Sequence, residues 1–376
     1  MTMPRTYLDW NATAPLRPEA RQAMLAALDV TGNPSSPHAE GRRARAIIED
    51  AREQVAALVG ARPTEVVFTS GGTESNNAVL AAGWDEIFVA GIEHDSVLAP
   101  VRRSGARVVD IGVRRDGVVD GDSFAEALAK ASGRRRLLTL QVANNETGVL
   151  QPVAEWAASA RRQGTASHTD AVQAAGRVAL GVGALGVDYL TLSAHKLGGP
   201  KGIGALIVRE PATLAAFIGG GGQERRRRAG TENVAAIAGF GAAAQAARSE
   251  LPGMGRVQAL RDELERQIQD AVPGIMVIGG DAPRLPNTTS LALPGASAET
   301  LVIALDLAGF AVSAGAACSS GKVGASHVLA AMGIAPHVAG AAIRISLGHG
   351  STERDTARFI DGFAHIAATR RTRAVA

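Results

Sequence analysis

The sequence is poorest in cysteine, with one residue, Cys318, in 376. A lone thiol excludes any intramolecular disulfide framework. Lysine is nearly as scarce: of 39 basic residues only Lys130, Lys196, Lys201 and Lys322 are lysines, so lysine chemistry has four candidates. Aromatic residues make up 3% of the chain, and the basic runs RRAR (42–45), RRR (134–136) and RRRR (225–228) lack aromatic interleaving. That pattern argues against a nucleic-acid surface; the first two runs read as solvated helix faces, whereas the third sits beside GGGG at 219–222. No apolar run reaches the roughly 18 residues that a membrane span needs. The opening MTMPRTYLDWNAT holds neither an apolar h-region nor an amphipathic transit helix, so the expectation is a cytoplasmic protein without membrane association.

What is present is 46% hydrophobic residues and 44 glycines, enough for a large core and two domains. From about residue 60, β-branched runs alternate with helical patterns: EVVFTS then GTESNNAVLAAG, EIFVAG then HDSVLAPVRRSG, RLLTLQVA then PVAEWAASARRQG. This alternation predicts an α/β domain with a mainly parallel sheet flanked by helices. Near LPGMG (251–255) the pattern changes to a long charged helix, followed by strands at 275–279, 287–293 and 342–347 and a last helix from about 351, a smaller α+β unit. The expected boundaries are 13–255 for the large domain and 1–12 with 256–376 for the small one.

Ligands of parallel sheets gather beyond the carboxyl ends of the strands. The polar clusters fall there: SGGTESNN after FT, EHD after EIFVAG, NNETG after LLTLQVA, HTDAVQ after TA and SAHK after VDYLTL. GVGALG (181–186) matches GxGxxG but is expected to precede a strand instead of opening a helix, and it reads as a chance match. SGGTESNN lacks a P-loop ending, yet its glycine turn at a helix start offers backbone N–H groups to a phosphate.

Each candidate residue carries a plain reading beside a chemical one. Lys196, in LSAHKLGGPKG, is a solvated lysine or, if desolvated, the residue type that forms Schiff bases with carbonyl cofactors. Asp170 is a helix cap or the carboxylate that keeps a pyridinium nitrogen protonated. His94 is a capping histidine or a cofactor partner, and pairing His94 with Asp95 or His168 with Asp170 as metal ligands fails for want of a regularly spaced third ligand. Arg344, in IRISLG, reads equally as a buried ion-pair member or a fork for a substrate carboxylate. Cys318 is a small buried hydrophobe or a reactive thiol; its flanks Gly315, Ser319, Ser320 and Gly321 suit an exposed, mobile segment.

Together, YLDWNAT, GNPSSPH, FTSGGTESNN, NNETG, HTDAVQ, SAHKLGGPKGIGAL, GGGQERRRRAGTENV, SAGAACSSG, SHVL and RISLG resemble NifS/IscS-type cysteine desulfurases, fold-type I pyridoxal-phosphate (PLP) enzymes of aminotransferase class V. The resemblance is collinear from about residue 7 to 348. It implies that Lys196 joins the cofactor covalently, Asp170 holds the pyridine nitrogen and His94 stacks on the ring. Gln173 and Asn145 match groups near the phenolic oxygen and the substrate. Gly72, Thr73, Ser193 and His195 match the phosphate cradle. Thr231 matches a threonine that reaches the neighbouring subunit's cofactor, which implies a homodimer with shared sites and accounts for RRRR. Arg344 matches the substrate-carboxylate clamp, tilting the two even readings toward binding.

The implied reaction takes L-cysteine to L-alanine and a persulfide on Cys318, for delivery to an iron–sulfur scaffold, which could include nitrogenase clusters, or to another sulfur acceptor protein. Cys318 would share a cluster with such a scaffold only transiently, and no resident metal is expected. The alternatives are a selenocysteine lyase, another class V aminotransferase, or a non-catalytic sulfur carrier, against which Lys196 and Asp170 argue. Two departures stand out: Trp10 where the family has a small or polar residue, implying altered entrance packing or substrate fit, and a short tail after RISLG, which questions the scaffold partnership of housekeeping members.

Overall fold

The computed structural model describes residues 5–315 and 326–375. Its largest element is a seven-stranded sheet in the order Val66–Thr69, Gly204–Val208, Tyr189–Ser193, Ala166–Asp170, Arg136–Thr139, Glu86–Ala90, Arg107–Ile111. Gly204–Val208 runs antiparallel to both of its neighbours, and every other pairing is parallel. Alternate strand residues feed two cores: Phe68, Phe88, Leu138, Leu190 and Ile207 pack on one face, Val67, Ile87, Leu137, Tyr189 and Leu206 on the other. Apolar residues at both parities explain why these strands read as continuous apolar runs. The helix Val234–Glu250 lies against Pro18–Leu28 and Ala39–Leu58. Gly241 permits that approach, since a Cβ there would stand 2.6 Å from the Cα of Ala51.

A second, antiparallel sheet orders Ser313–Ala314, Ala342–Ser346, Thr288–Ala292 and Met276–Ile278. It packs a separate core that includes Leu8, Val257, Leu264, Ile343, Ile345 and Phe359. The chain's first described strand, Thr6–Tyr7, pairs in parallel with Phe310–Ala311, and Asp9 bridges Ser346. Residues 10–14 then cross to the large sheet, where the N–H of Ala14 donates to the carbonyl of His195 at 2.9 Å.

Two local expectations fail. The RRR run is not a helix face: Arg134 and Arg135 lie in a bend and Arg136 opens the strand Arg136–Thr139. GVGALG does open a helix: Gly181 stands before a single turn, Val182–Leu185, which Gly186 ends in the left-handed region at φ 69°. Too short a stretch separates it from Tyr189–Ser193 to build a nucleotide-binding unit, so it serves only as a connector. Trp10 is buried, its ring edge-on to His349 with centroids 5.0 Å apart, and a Cβ on Gly348 would overlap its indole. The bulk at position 10 is thus matched by glycine at 348 in the seam between the two sheets.

Candidate active site

Five loops at the strand ends converge on a cavity of about 220 Å³ lined by Gly72, Thr73, His94, Asn145, Asp170, Gln173, Ser193, His195 and Lys196. Asp170 closes its strand and is tied twice: its Oδ1 accepts the N–H of Val172 at 2.9 Å and its Oδ2 accepts Asn76 Nδ2 at 2.8 Å. The turn-capping reading is therefore satisfied by one oxygen while the other faces Asn76. Asn76 also donates to Ser96 Oγ at 2.8 Å, and the Ser96 N–H donates to His94 Nδ1 at 3.0 Å. A backbone N–H directed at Nδ1 leaves the neutral imidazole's proton on Nε2. Burial, with Lys196 adding to it against Asp170, holds the His94 pKa below the usual histidine value.

Lys196 ends a one-turn 3-10 helix, Ala194–Lys196, and its Nζ donates to the carbonyls of Asn11 at 2.5 Å and Ala12 at 2.9 Å. His195 meets Thr13 Oγ1 through Nδ1 at 3.2 Å; burial, then Lys196, Lys201 and Arg177, push its pKa down to about 4, so it is neutral. Gln173 Nε2 donates to the same Asn11 carbonyl at 3.1 Å. At the opposite end, the helix Gly72–Leu80 starts with no side-chain cap, so its first N–H groups face the cavity beside Thr73 and Ser193. A Cβ on Gly204 would fall 2.7 Å from the backbone of Gly71, so glycine lets the neighbouring strand support this turn.

Two expected residues lie elsewhere, and a third falls outside the described residues. Arg344 is buried in Ala342–Ser346, where Nη2 meets Asp9 Oδ1 at 2.8 Å, Nη1 donates to the Asn145 carbonyl at 2.9 Å and Nε has no partner among the described residues. Both readings of Arg344 thus keep a foothold: an ion pair is formed, and the Nε–H stays unspent among the described residues. Thr231 lines a different cavity of about 250 Å³ with Ser70, Gly202 and Arg228. Cys318 lies outside the described residues. Just before that segment, a Cβ on Gly315 would stand 3.3 Å from Glu146 Oε2, and just after it Ser326 Oγ donates to the same oxygen at 2.6 Å. Burial raises the Glu146 carboxyl to about 7.

The motifs did not single out Asn76, the Asn11 and Ala12 carbonyls, Arg177 or Glu93. Glu93 is fully buried behind His94, its Oε1 accepting the Gln141 N–H at 2.8 Å, and burial holds its carboxyl well above the usual range. Among the described residues no cluster of three or more His, Cys, Asp and Glu is placed to hold a metal ion, and no helix is long and apolar enough to cross a membrane.

A family model described as Aminotransferase class-V matches residues 6–359. The chain is 44% identical to a cysteine desulfurase of Cereibacter sphaeroides over 372 residues, covering 96% of this chain and 95% of the relative. It is 41% identical to a cysteine desulfurase of Enterobacter agglomerans over 381 residues, covering 98% and 94%. Among solved structures, a NifS-like protein from Rickettsia africae superposes with a TM-score of 0.90 at 36% identity, covering 96% of this chain and 99% of that one.

Proposed function

The chain belongs to the aminotransferase class-V family, and on that premise we propose that it is a PLP-dependent cysteine desulfurase. The observation that carries the reading is the single cavity in which a lysine amine, a strand-end carboxylate and an uncapped helix N-terminus face one another. Its donor set fits the group. The bare first turn at Gly72 and Thr73, with Ser193 and neutral His195, suits a phosphate dianion; Asp170, held by Asn76, suits a pyridinium N–H; Gln173 and Asn145 suit a phenolic oxygen. A Cβ on Gly72 would touch Val172 Cγ2 at 3.0 Å, so the turn is already closed down to its backbone.

When bound, the cofactor supplies an electron sink for negative charge at the substrate α-carbon. Lys196 leaves the Asn11 and Ala12 carbonyls and exchanges the α-proton. Asp170 is held in orientation by Asn76 and the Val172 N–H, which donate one to each of its oxygens. His94 presents Nε2–H to the substrate sulfur, and Arg344 offers its unspent Nε–H to the substrate carboxylate. The Cys318 thiolate attacks the sulfur of L-cysteine. An S–S bond forms as the C–S bond breaks, the electron pair stays with carbon, and a proton completes the methyl group of L-alanine. The product on the enzyme is a persulfide at Cys318 for an iron–sulfur scaffold or another acceptor.

The separate placement of Thr231, away from the Lys196 cavity, supports a homodimer in which it serves the neighbouring subunit's cofactor. The two independent cores support 13–255 as the cofactor-binding domain and 1–12 with 256–376 as the small domain. Cys318→Ala should abolish alanine release from L-cysteine while retaining the visible absorbance of bound PLP, and Lys196→Ala should lose both. Undiminished turnover in Cys318→Ala would sink the assignment of the nucleophile.

A further inference from the structure

Arg177 is 7% exposed, and among the described residues no carboxylate lies within ion-pair distance of it. Its guanidinium meets only oxygens of neutral groups. Nη1 donates to the Gln173 carbonyl at 2.9 Å and to Gln173 Oε1, and Nη2 donates to the Trp10 carbonyl at 3.2 Å. Burial, then the charge of Arg344, pulls its pKa down to about 9. A buried cation without a counter-charge is costly to fold, and an isolated one is rare unless something completes it.

The bonds of Gln173 show what the cation does locally. A guanidinium has donors only, so the amide atom facing Arg177 is necessarily oxygen; a carbonyl accepts only, so the atom facing Asn11 is necessarily nitrogen. The two constraints agree and leave the second Nε2 hydrogen for the cavity that Gln173 lines. Arg177 itself does not line that cavity.

We propose that Arg177 is a positioning residue that locks the Gln173 amide with its NH₂ toward the cavity, and that its missing counter-charge is the anionic cofactor bound there. The inference rests on the PLP reading above. It makes the apo protein carry a destabilising charge that ligand binding relieves.

The test uses the full-length apo protein, titrated with PLP and followed by visible absorbance and thermal unfolding. Arg177→Met should leave the apo melting temperature equal to or above that of wild type, while the Kd for PLP rises tenfold or more and the ligand-induced rise in melting temperature shrinks. Wild-type affinity in Arg177→Met overturns the proposal, as does an apo melting temperature well below that of wild type in a variant that still folds. Arg177→Lys covers the case in which the methionine variant fails to fold, because it keeps the charge but loses the fork. It should shift the absorbance maximum of bound PLP and weaken binding three- to tenfold. That loss should vanish in a Gln173→Met background, since the lysine then has nothing to misplace. An unmoved spectrum, or a loss that persists with Gln173→Met, overturns it. Failure of wild-type protein to bind PLP would instead refute the functional reading, so the two failures are distinguishable.

Discussion

The chain treats two buried guanidinium groups of the large unit, Arg52 and Arg177, differently. Arg52, 4% exposed, is answered from within: Glu224 grips it through 2.9 and 2.8 Å contacts, Glu49 lies 3.1 Å from Nε, and the Phe68 ring lies 4.8 Å below. Burial opposes its charge, but the Glu224 and Glu49 contacts outweigh it and raise the Arg52 pKa above the usual arginine value. Glu224 is held firmly enough to sit, with Arg225 and Arg226, in the left-handed region at φ 43°, 56° and 64°, which side chains seldom adopt. Arg177 has carbonyls where Arg52 has carboxylates. A cation completed inside the chain anchors a strained turn; one left incomplete behind Gln173, which lines the cavity, carries an unanswered charge.

The contrast is open to direct attack. Glu224→Gln leaves Arg52 only the half-buried Glu49, moving it toward the uncompensated state of Arg177, and should cost about 3–5 kcal/mol of unfolding free energy in a urea titration. Adding Arg52→Met to that variant should recover most of the loss, because the stranded charge is then gone. The next effect concerns a buried group that folding keeps uncharged. His168 sits between Thr139 Oγ1 at 2.9 Å and Thr191 Oγ1 at 3.1 Å, and burial depresses its pKa from 6.5 to about 4. A depressed histidine contributes stability that is present above 6.5 and lost as pH falls toward 4, on the order of 3 kcal/mol in total. His168→Asn should flatten unfolding free energy across that window, whatever its effect at neutral pH. The smallest effect belongs to the partly exposed pair Arg228–Glu74 at 3.0 Å, where Arg228→Ala should cost about 1 kcal/mol or less and less still in high salt.

How much of this was legible in the sequence depended on what carries the information. The parallel sheet and its strand-end cavity were readable because buried strands and amphipathic helices impose distinct periods, and because Asp170, His94 and Lys196 each follow such a strand. The short helix at Val182–Leu185 was misread, since four residues are too few for periodicity to register. The Asp9–Arg344 pair joins residues 335 positions apart, and no local pattern encodes such a separation. Asn76 sat inside a quoted motif, but only the fold turns its amide toward Asp170 and Ser96. The Asn11 and Ala12 carbonyls that accept from Lys196 and the Trp10 carbonyl that accepts from Arg177 are backbone groups that every residue type carries, so composition leaves no trace of them.

Those carbonyls impose an order of assembly on synthesis. Residues 6–11 leave the ribosome early, yet they are fixed by partners made hundreds of residues later: Thr6 and Tyr7 by Phe310 and Ala311, Asn11 by Thr288 Oγ1 at 3.0 Å and Ser346 Oγ at 2.9 Å. A nascent chain that has already folded the seven-stranded sheet therefore still lacks the wall that holds Lys196, Gln173 and Arg177 in place. The wall that carries these carbonyls is complete only after residue 346 emerges, so a half-made chain keeps one side of the strand-end cavity open.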